Sequence, residues 1–290
     1  MNGILLVNKE TGLTSRDVVN RVCRILNTKK VGHTGTLDPL ATGVMVLCVG
    51  SATKLVEVIT ANQKEYVAEV ILGIQTDTGD ITGNILEEKE THISLEQIQE
   101  TCKKMQKTYE QTVPIYSAVK VKGKKLYEYA RSGIHVELPS RQVTIYELEC
   151  ISTPIYEDGK TIFKIRTTVS KGTYIRSLIE DFAKELNAIG TMRFLIRTRQ
   201  GSFSVEECNT LEQIEKKEFE LLDVATVLMD YPKIIVDDYL ETKIRNGVLL
   251  ENRYTSDVVL FQNQKGVLLA LYRIYEKDPN KMKPWKMLSI

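Results

Sequence analysis

The sequence predicts an α+β fold: a mixed, mainly antiparallel sheet with flanking helices, followed by a small β-rich C-terminal module. Three observations carry this. Strand-like and helix-like segments follow one another without the strict alternation of a doubly wound sheet. Two strand-like runs, 143–151 and 162–169, flank Glu157-Asp158-Gly159, a hairpin signal. Pro232 follows Tyr231 at the end of an acidic stretch and opens a new, strand-rich pattern. That places a boundary near Asp230, giving domains 1–230 and 231–290 of a 290-residue chain. Two domains also fit the length, at roughly 100–200 residues per domain.

In chain order, residues 3–7 form a short apolar strand. Residues 15–26 form an amphipathic helix: Thr14 and Asp17 stand at capping-box spacing, and Val18, Val19, Val22, Ile25 and Leu26 recur at helical intervals. A glycine-rich loop, 32–43, leads into a buried strand, 44–49. The alternating, β-rich run 66–72 is expected beside that strand. Residues 94–107 form a second helix, boxed by Ser94 and Gln97, with Leu95, Ile98, Cys102 and Met105 inward. After the hairpin comes a third helix, 174–186, with Ile175, Leu178, Ile179, Phe182 and Leu186 inward, then a strand, 194–205. The acidic stretch 206–230 reads as mostly helical. The last module reads as a strand, a helix over 239–245 stopped at Gly247, and strands near 258–262 and 267–275.

Composition excludes several classes. With 42% hydrophobic and 27% charged residues, the chain is ordinary for a well-cored globular protein. The longest uninterrupted apolar run, 44–49, falls far short of the ~20 residues a membrane-spanning helix needs, so no membrane role is expected. The first apolar run ends at Val7, too short for a secretory signal. Five scattered cysteines, never spaced as CxxC, read as reduced core residues of a cytoplasmic protein. Three histidines without a Cys/His cluster predict no metal site. The net charge of +1 hides strong local imbalance. Residues 103–131 carry eight Lys/Arg against two Glu, and residues 160–200 carry nine against three acids. Residues 205–230 carry eight acids against two lysines. Basic blocks folded onto one face attract polyanions.

The most unusual stretch is Gly32-His33-Thr34-Gly35-Thr36-Leu37-Asp38-Pro39-Leu40-Ala41-Thr42-Gly43. Glycines allow close backbone approach to a ligand, and Pro39 confines Asp38 to extended or turn geometry. Asp38 is then either a carboxylate pre-positioned for chemistry or the side chain of a self-bonded Asp-Pro turn. Without a Gly-Lys-Ser/Thr ending, this is not a P-loop. A second constellation, Ser170-Lys171-Gly172-Thr173-Tyr174-Ile175-Arg176-Ser177, sits at a strand-to-helix junction suited to anions. Arg176 falls in the helix's first turn, where the dipole disfavours a cation. It is either a surface residue or the partner of an anion, with Asp38 the candidate. Tyr66, in Lys64-Glu65-Tyr66, is either packing or a surface on which a base stacks. The extended segment 111–120 is either an edge strand or a groove wall.

Taken together, GHTGTLDPLATG, the KEY at Lys64–Tyr66, LGIQTDTGDITG (72–83), PIYSAVKVKGKKLYEYAR and SKGTYIR resemble, in order, the motifs of the TruB family of tRNA pseudouridine synthases. The opening Gly3–Lys9 and Gly12–Ser15 are similar to that family's first motif. The resemblance covers about 3–203. The sequence departs from it at Glu10 and Val113, where prolines are usual, and at Val169, where many members have cysteine.

The resemblance implies a pseudouridine synthase-type sheet and a PUA-like RNA-binding module over 231–290. It implies isomerisation of uridine 55 in the T loop of tRNA, a reaction that agrees with the absence of cofactor and metal patterns in the sequence; a monomer is the default expectation, with no protein partner required. By similarity, Asp38 is the catalytic aspartate, Arg176 its paired arginine and Tyr66 the tyrosine that stacks on the target base. His33 is implied to wedge into the RNA loop, and Lys9, Tyr174 and Leu195 to line or support the RNA site. Lys171 joins them as an RNA-binding residue through its place in the second constellation. Two other readings stay open: an RNA-binding or tRNA-folding protein whose catalysis is secondary, and a glycosylase that uses the same aspartate to release free uracil.

Overall fold

Which strand lies where is decided by which faces must be covered. The computed structural model describes residues 1–60 and 63–288, so the last two residues of the 231–290 module lie outside it. The chain begins with β1 (Gly3–Lys9), α1 (Ser15–Ile25), β2 (Val31–His33) and β3 (Thr42–Val49). α2 (Val56–Ile59), β4 (Gln63–Leu72), β5 (Ile74–Thr76), β6 (Ile85–Glu88) and α3 (Leu95–Met105) follow. Next come β7 (Thr108–Thr112), the small hairpin β8 (Lys120–Val121) and β9 (Lys124–Lys125), and α4 (Leu126–Arg131). The middle of the chain continues with β10 (Ser140–Cys150), β11 (Ile155–Glu157), β12 (Lys160–Ser170), α5 (Ile175–Glu185), β13 (Gly190–Gln200) and β14 (Phe203–Ser204).

The main sheet has the order β1-β3-β13-β4-β12-β10-β7. All these pairings are antiparallel except β13 with β3. The α+β class with a mainly antiparallel sheet is therefore what the chain adopts. The expectation that β4 lies beside β3 is corrected: β13 inserts between them. Thr42 and Gly43 pair with Ile196 and Arg197, while β4 pairs with β13 from Lys64 to Leu72. Sequence proximity cannot reveal an inserted strand that arrives about 120 residues later.

Period-2 alternation sorts the side chains. Along β1 and β3, Leu5, Val7, Met45, Leu47 and Val49 face Val18, Val19 and Val22 of α1. Ile4, Leu6, Val44, Val46 and Cys48 face the other way. Both faces are covered, which is why 44–49 reads as an unbroken apolar run. Tyr66, Ala68, Val70 and Leu72 of β4 share a core with Ile98, Cys102 and Met105 of α3 and Leu178, Ile179 and Phe182 of α5. Both predicted capping boxes, Thr14/Asp17 and Ser94/Gln97, are formed. The β11–β12 turn has Asp158 at φ +50° and Gly159 at φ +70°, the left-handed pair a two-residue hairpin requires.

The acidic stretch is not mostly helical. It holds the end of a 3-10 turn (Val205–Glu207) and two short α-helices, α6 (Leu211–Glu215) and α7 (Val224–Val227). Before and between them the backbone binds the β1 edge: Asn8 N donates to Asn209 O at 2.9 Å, and Ile4 N donates to Leu222 O at 3.0 Å. An open edge must satisfy its backbone groups, and this requirement overrides local helix preference.

The final segment holds β15 (Lys233–Val236), α8 (Asp238–Arg245), β16 (Leu250–Glu251), β17 (Val258–Asn263), β18 (Leu268–Tyr275) and β19 (Asp278–Met287). They form a second sheet, β15-β17-β18-β19-β16. Leu260, Leu268, Leu271 and Leu288 belong to the same core as Ile4, Val44, Leu55 and Ile59. β19 is absent from the sequence expectation because Pro279 and Pro284 interrupt its pattern. The structure accommodates them with register shifts against β18.

Candidate functional site

The loop between β2 and β3 is held from below by two cations that reach no solvent. Lys9, at the end of β1, is 0% exposed. Its Nζ donates to the carbonyls of Ala41 (2.7 Å), Glu10 (2.8 Å) and Pro39 (3.3 Å). Burial pushes this lysine down to about 8, against the opposing pull of Asp38. Arg197, on β13 and equally buried, donates to Val44 O (2.7 Å), Thr36 O (3.2 Å) and Gly35 O (3.2 Å). From α1, Ser15 Oγ accepts from Leu37 N at 2.8 Å. With its carbonyls drawn downward, the loop turns the Asp38 side chain outward, 40% exposed.

That carboxylate meets Arg176 at the second position of α5. Arg176 Nε lies 3.0 Å from Asp38 Oδ2, and the arginine side chain is only 4% exposed. Its other nitrogens are used as well: Nη1 donates to Thr78 O (2.8 Å) and Nη2 to Tyr116 O (2.9 Å). One guanidinium thus joins the Asp38 loop, the 72–83 segment and the 111–120 segment. The carboxylate and two carbonyls offset the unfavourable helix dipole.

The start of α5 is fixed by a fully buried amide. Gln111 Oε1 accepts from Tyr174 N (2.8 Å), and Gln111 Nε2 donates to Tyr174 O (3.2 Å) and to Tyr109 Oη (3.0 Å). Tyr109 in turn donates to Asp181 of α5 at 3.2 Å. Tyr174 is the cap residue of α5, and its ring lies under the Arg141 guanidinium at 5.4 Å.

Asp38 stands where two cavities meet. A cavity of about 250 Å³ is lined by Asp38, Lys64, Tyr66, Arg141, Tyr174 and Leu195, among others. A wider one, about 560 Å³, shares Asp38 and Tyr174 and adds Arg16, His33, Lys125 and Arg131. Tyr66 and Leu195 are nearly buried, at 6% and 5% exposure, and form apolar wall. His33 is half-buried, and burial, with Arg16, Arg197 and Lys64 nearby, pushes its imidazole below the usual range. At neutral pH it is an uncharged flat ring.

Of the residues singled out in sequence, Asp38, Tyr66, Tyr174, Leu195 and His33 line these cavities, and Arg176 is buried behind Asp38 as its ion-pair partner. Lys171 is exposed and lines neither. Lys9, implied to line or support the RNA site, has no exposure and holds the loop from below. Arg197, Ser15 and Arg141 were not singled out, and Lys64 and Gln111 stood within motifs without a role of their own. Arg197 follows Phe194-Leu195-Ile196 and stands between Arg193 and Arg199, so nothing in the sequence sets it apart from its neighbours.

Residues 23–175 match the TruB family pseudouridylate synthase N-terminal domain. A tRNA pseudouridine synthase B of Bacillus pumilus (strain SAFR-032) is 42% identical over 303 residues, spanning 100% of this chain and 98% of its own. One from Bacillus subtilis (strain 168) is 41% identical, spanning 99% and 98%. In fold, the chain is similar to one in the crystal structure of a Cbf5-Nop10-Gar1 complex, with a TM-score of 0.70 at 24% identity over 98% of this chain and 83% of that one.

Proposed function

The chain belongs to the TruB family and is a tRNA pseudouridine synthase, an isomerase; from that premise we propose that it converts uridine 55 in the T loop of tRNA to pseudouridine, with Asp38 as the catalytic carboxylate. The observation that carries this reading is the Asp38–Arg176 pair at the mouth of an aromatic-walled cavity. The reaction breaks the N1–C1′ glycosidic bond, turns the uracil and joins its C5 to C1′. It needs one ionised carboxylate near the sugar, and an aspartate is ionised at neutral pH. Asp38 either attacks C1′ or removes a proton from C2′. Arg176 keeps the carboxylate aimed and compensated once RNA excludes water.

The uridine must first leave its stack, at a cost of roughly a few kcal/mol that pocket contacts repay. Tyr66 offers the stacking face for the flipped base, with Leu195 and Tyr174 around it. Neutral His33 supplies a flat surface for the gap left in the RNA loop. Lys171, Arg141, Lys125 and Arg131 suit phosphates, and Lys9 holds the loop from below. The 231–290 module is assigned as a PUA-like RNA-binding domain beside the 1–230 catalytic domain. The enzyme is assigned to the cytoplasm as a monomer working without a protein partner.

Replacing Asp38 with Asn tests the assignment. Pseudouridine formation on a T-arm transcript should vanish while the RNA still binds. Retained turnover refutes the role of Asp38, and loss of binding refutes the separation of chemistry from recognition.

A further inference from the structure

One wall of the smaller cavity carries a cation that no carboxylate among the described residues balances. Lys64 and Tyr66 stand two residues apart on β4, so their side chains leave the same face of the strand, and both line the cavity with Asp38. The lysine lies close over the loop: a Cβ on Gly35 would meet Lys64 Nζ at 3.0 Å. Burial is the main influence on its charge, Arg197 pushes the same way, and no carboxylate opposes them. Asp38, the only acid among the residues lining this cavity, is already engaged by Arg176. A half-buried, unpaired ammonium costs folding free energy. Its counter-charge must arrive with the ligand.

Two anions come with RNA chemistry: a phosphate and the detached base. Cations suited to phosphates already stand at exposed Lys171, at Arg141 over the Tyr174 ring in the same cavity, and at Lys125 and Arg131 of the wider one. Lys64 instead shares its wall with Tyr66, the face against which the base stacks. Resting on the reading above, we propose that Lys64 is a catalytic residue whose ammonium stabilises the uracil anion released when the glycosidic bond breaks.

The charge balance does not depend on which role Asp38 takes. In either case the N1–C1′ bond breaks with both electrons passing to the uracil. The electron pair then forms the C5–C1′ bond, and the C5 proton moves to N1, which leaves the base neutral. Lys64 holds charge only in between, where a preorganised donor in a water-poor site is most effective.

The test uses the full-length protein and a T-arm transcript. Lys64→Met should lower the single-turnover rate at saturating enzyme by about 10²–10³-fold, as loss of one such donor does elsewhere, with little change in RNA affinity. The same variant should unfold at a higher urea concentration, because it removes a buried, unbalanced charge. Lys64→Arg should recover much of the rate.

The pH profile supplies a second readout. Lys64 titrates near 8, so the wild-type rate should fall as pH rises through that value. Asp38, Tyr66, Arg141, Tyr174 and Arg197 face the lysine, and Lys9 also titrates near 8. Lys64→Arg therefore makes the assignment: the alkaline fall should move up with arginine. Weaker binding with an unchanged saturating rate would make Lys64 a phosphate contact and overturn the proposal. So would a variant less stable than wild type in which arginine restores nothing. Asp38→Asn run in parallel separates the two ideas: failure of the lysine variants alone leaves the aspartate reading standing.

Discussion

Lys9 shows how a single buried charge holds a loop while carrying a desolvation cost. Its folded value of about 8 lies below the ordinary 10.5. Between those values the unfolded chain holds a proton that the folded chain has released, so unfolding free energy rises with pH across that window. Lys9→Met should be less stable at neutral pH by about 1–3 kcal/mol, since the Ala41, Pro39 and Glu10 carbonyls lose their donor. The wild-type minus variant difference in urea unfolding should then grow from pH 8 to pH 10. A flat difference would contradict the assignment. The subtraction removes Cys48, Cys102 and Cys208, whose thiols burial pushes up to about 12 and which act in the opposite direction. Gly43 is a second sensitive point: its φ is +99°, and a Cβ there would run into the Arg197 backbone carbonyl. Gly43→Ala should cost about 3 kcal/mol or more, as overpacking and left-handed strain combine, with activity lost alongside the urea midpoint.

At the scale of elements, the site is a meeting of one loop, one helix start and two strand ends. Helix α5 has no side-chain cap of its own. Gln111 on β7 replaces that cap by holding both backbone groups of Tyr174, and Arg176 stands two residues further on. Gln111→Ala should destabilise the protein by about 1–3 kcal/mol by leaving those groups unsatisfied. Single-turnover rate should fall more than T-arm affinity, because aim is lost before charge. An unchanged rate would mean that α5 finds its position without the clamp. The helices α1 and α3 were legible because their capping boxes and apolar stripes are local. The 206–230 stretch was not, because its backbone answers to the β1 edge. β19 was not, because a proline-bearing strand is tolerated only where its neighbour shifts register.

For the molecule as a whole, the second sheet shares a core with the first rather than standing apart from it. Leu260, Leu268 and Leu271 pack in one cluster with Ala52, Leu55 and Ile59, and Lys286 reaches Glu57 at 2.7 Å. A fragment ending at 230 would expose that cluster to water. It should unfold at a markedly lower temperature than the full chain or fail to stay soluble; an equally stable fragment would show that the shared core contributes little. Charge is also distributed across the fold. The acidic stretch lies along β1, at one edge of the main sheet, while β7, at the other edge, follows the start of the first basic block. Lys125 and Arg131 from that block reach the wider cavity.

By itself the sequence determined the α+β class, the Asp38 loop as the unusual element, and the cation at 176 as a residue either exposed or paired with an anion. Those follow from local rules: periodicity, turn chemistry and the helix dipole act within a few residues. The tertiary structure alone decided that β13 separates β3 from β4, and that Lys9 and Arg197 hold the loop from below. It alone placed Gln111 on the cap of α5 and left Lys64 uncompensated in the cavity. Each of these depends on groups tens to more than a hundred residues apart satisfying one another's backbone or charge, and no local pattern records such a partner.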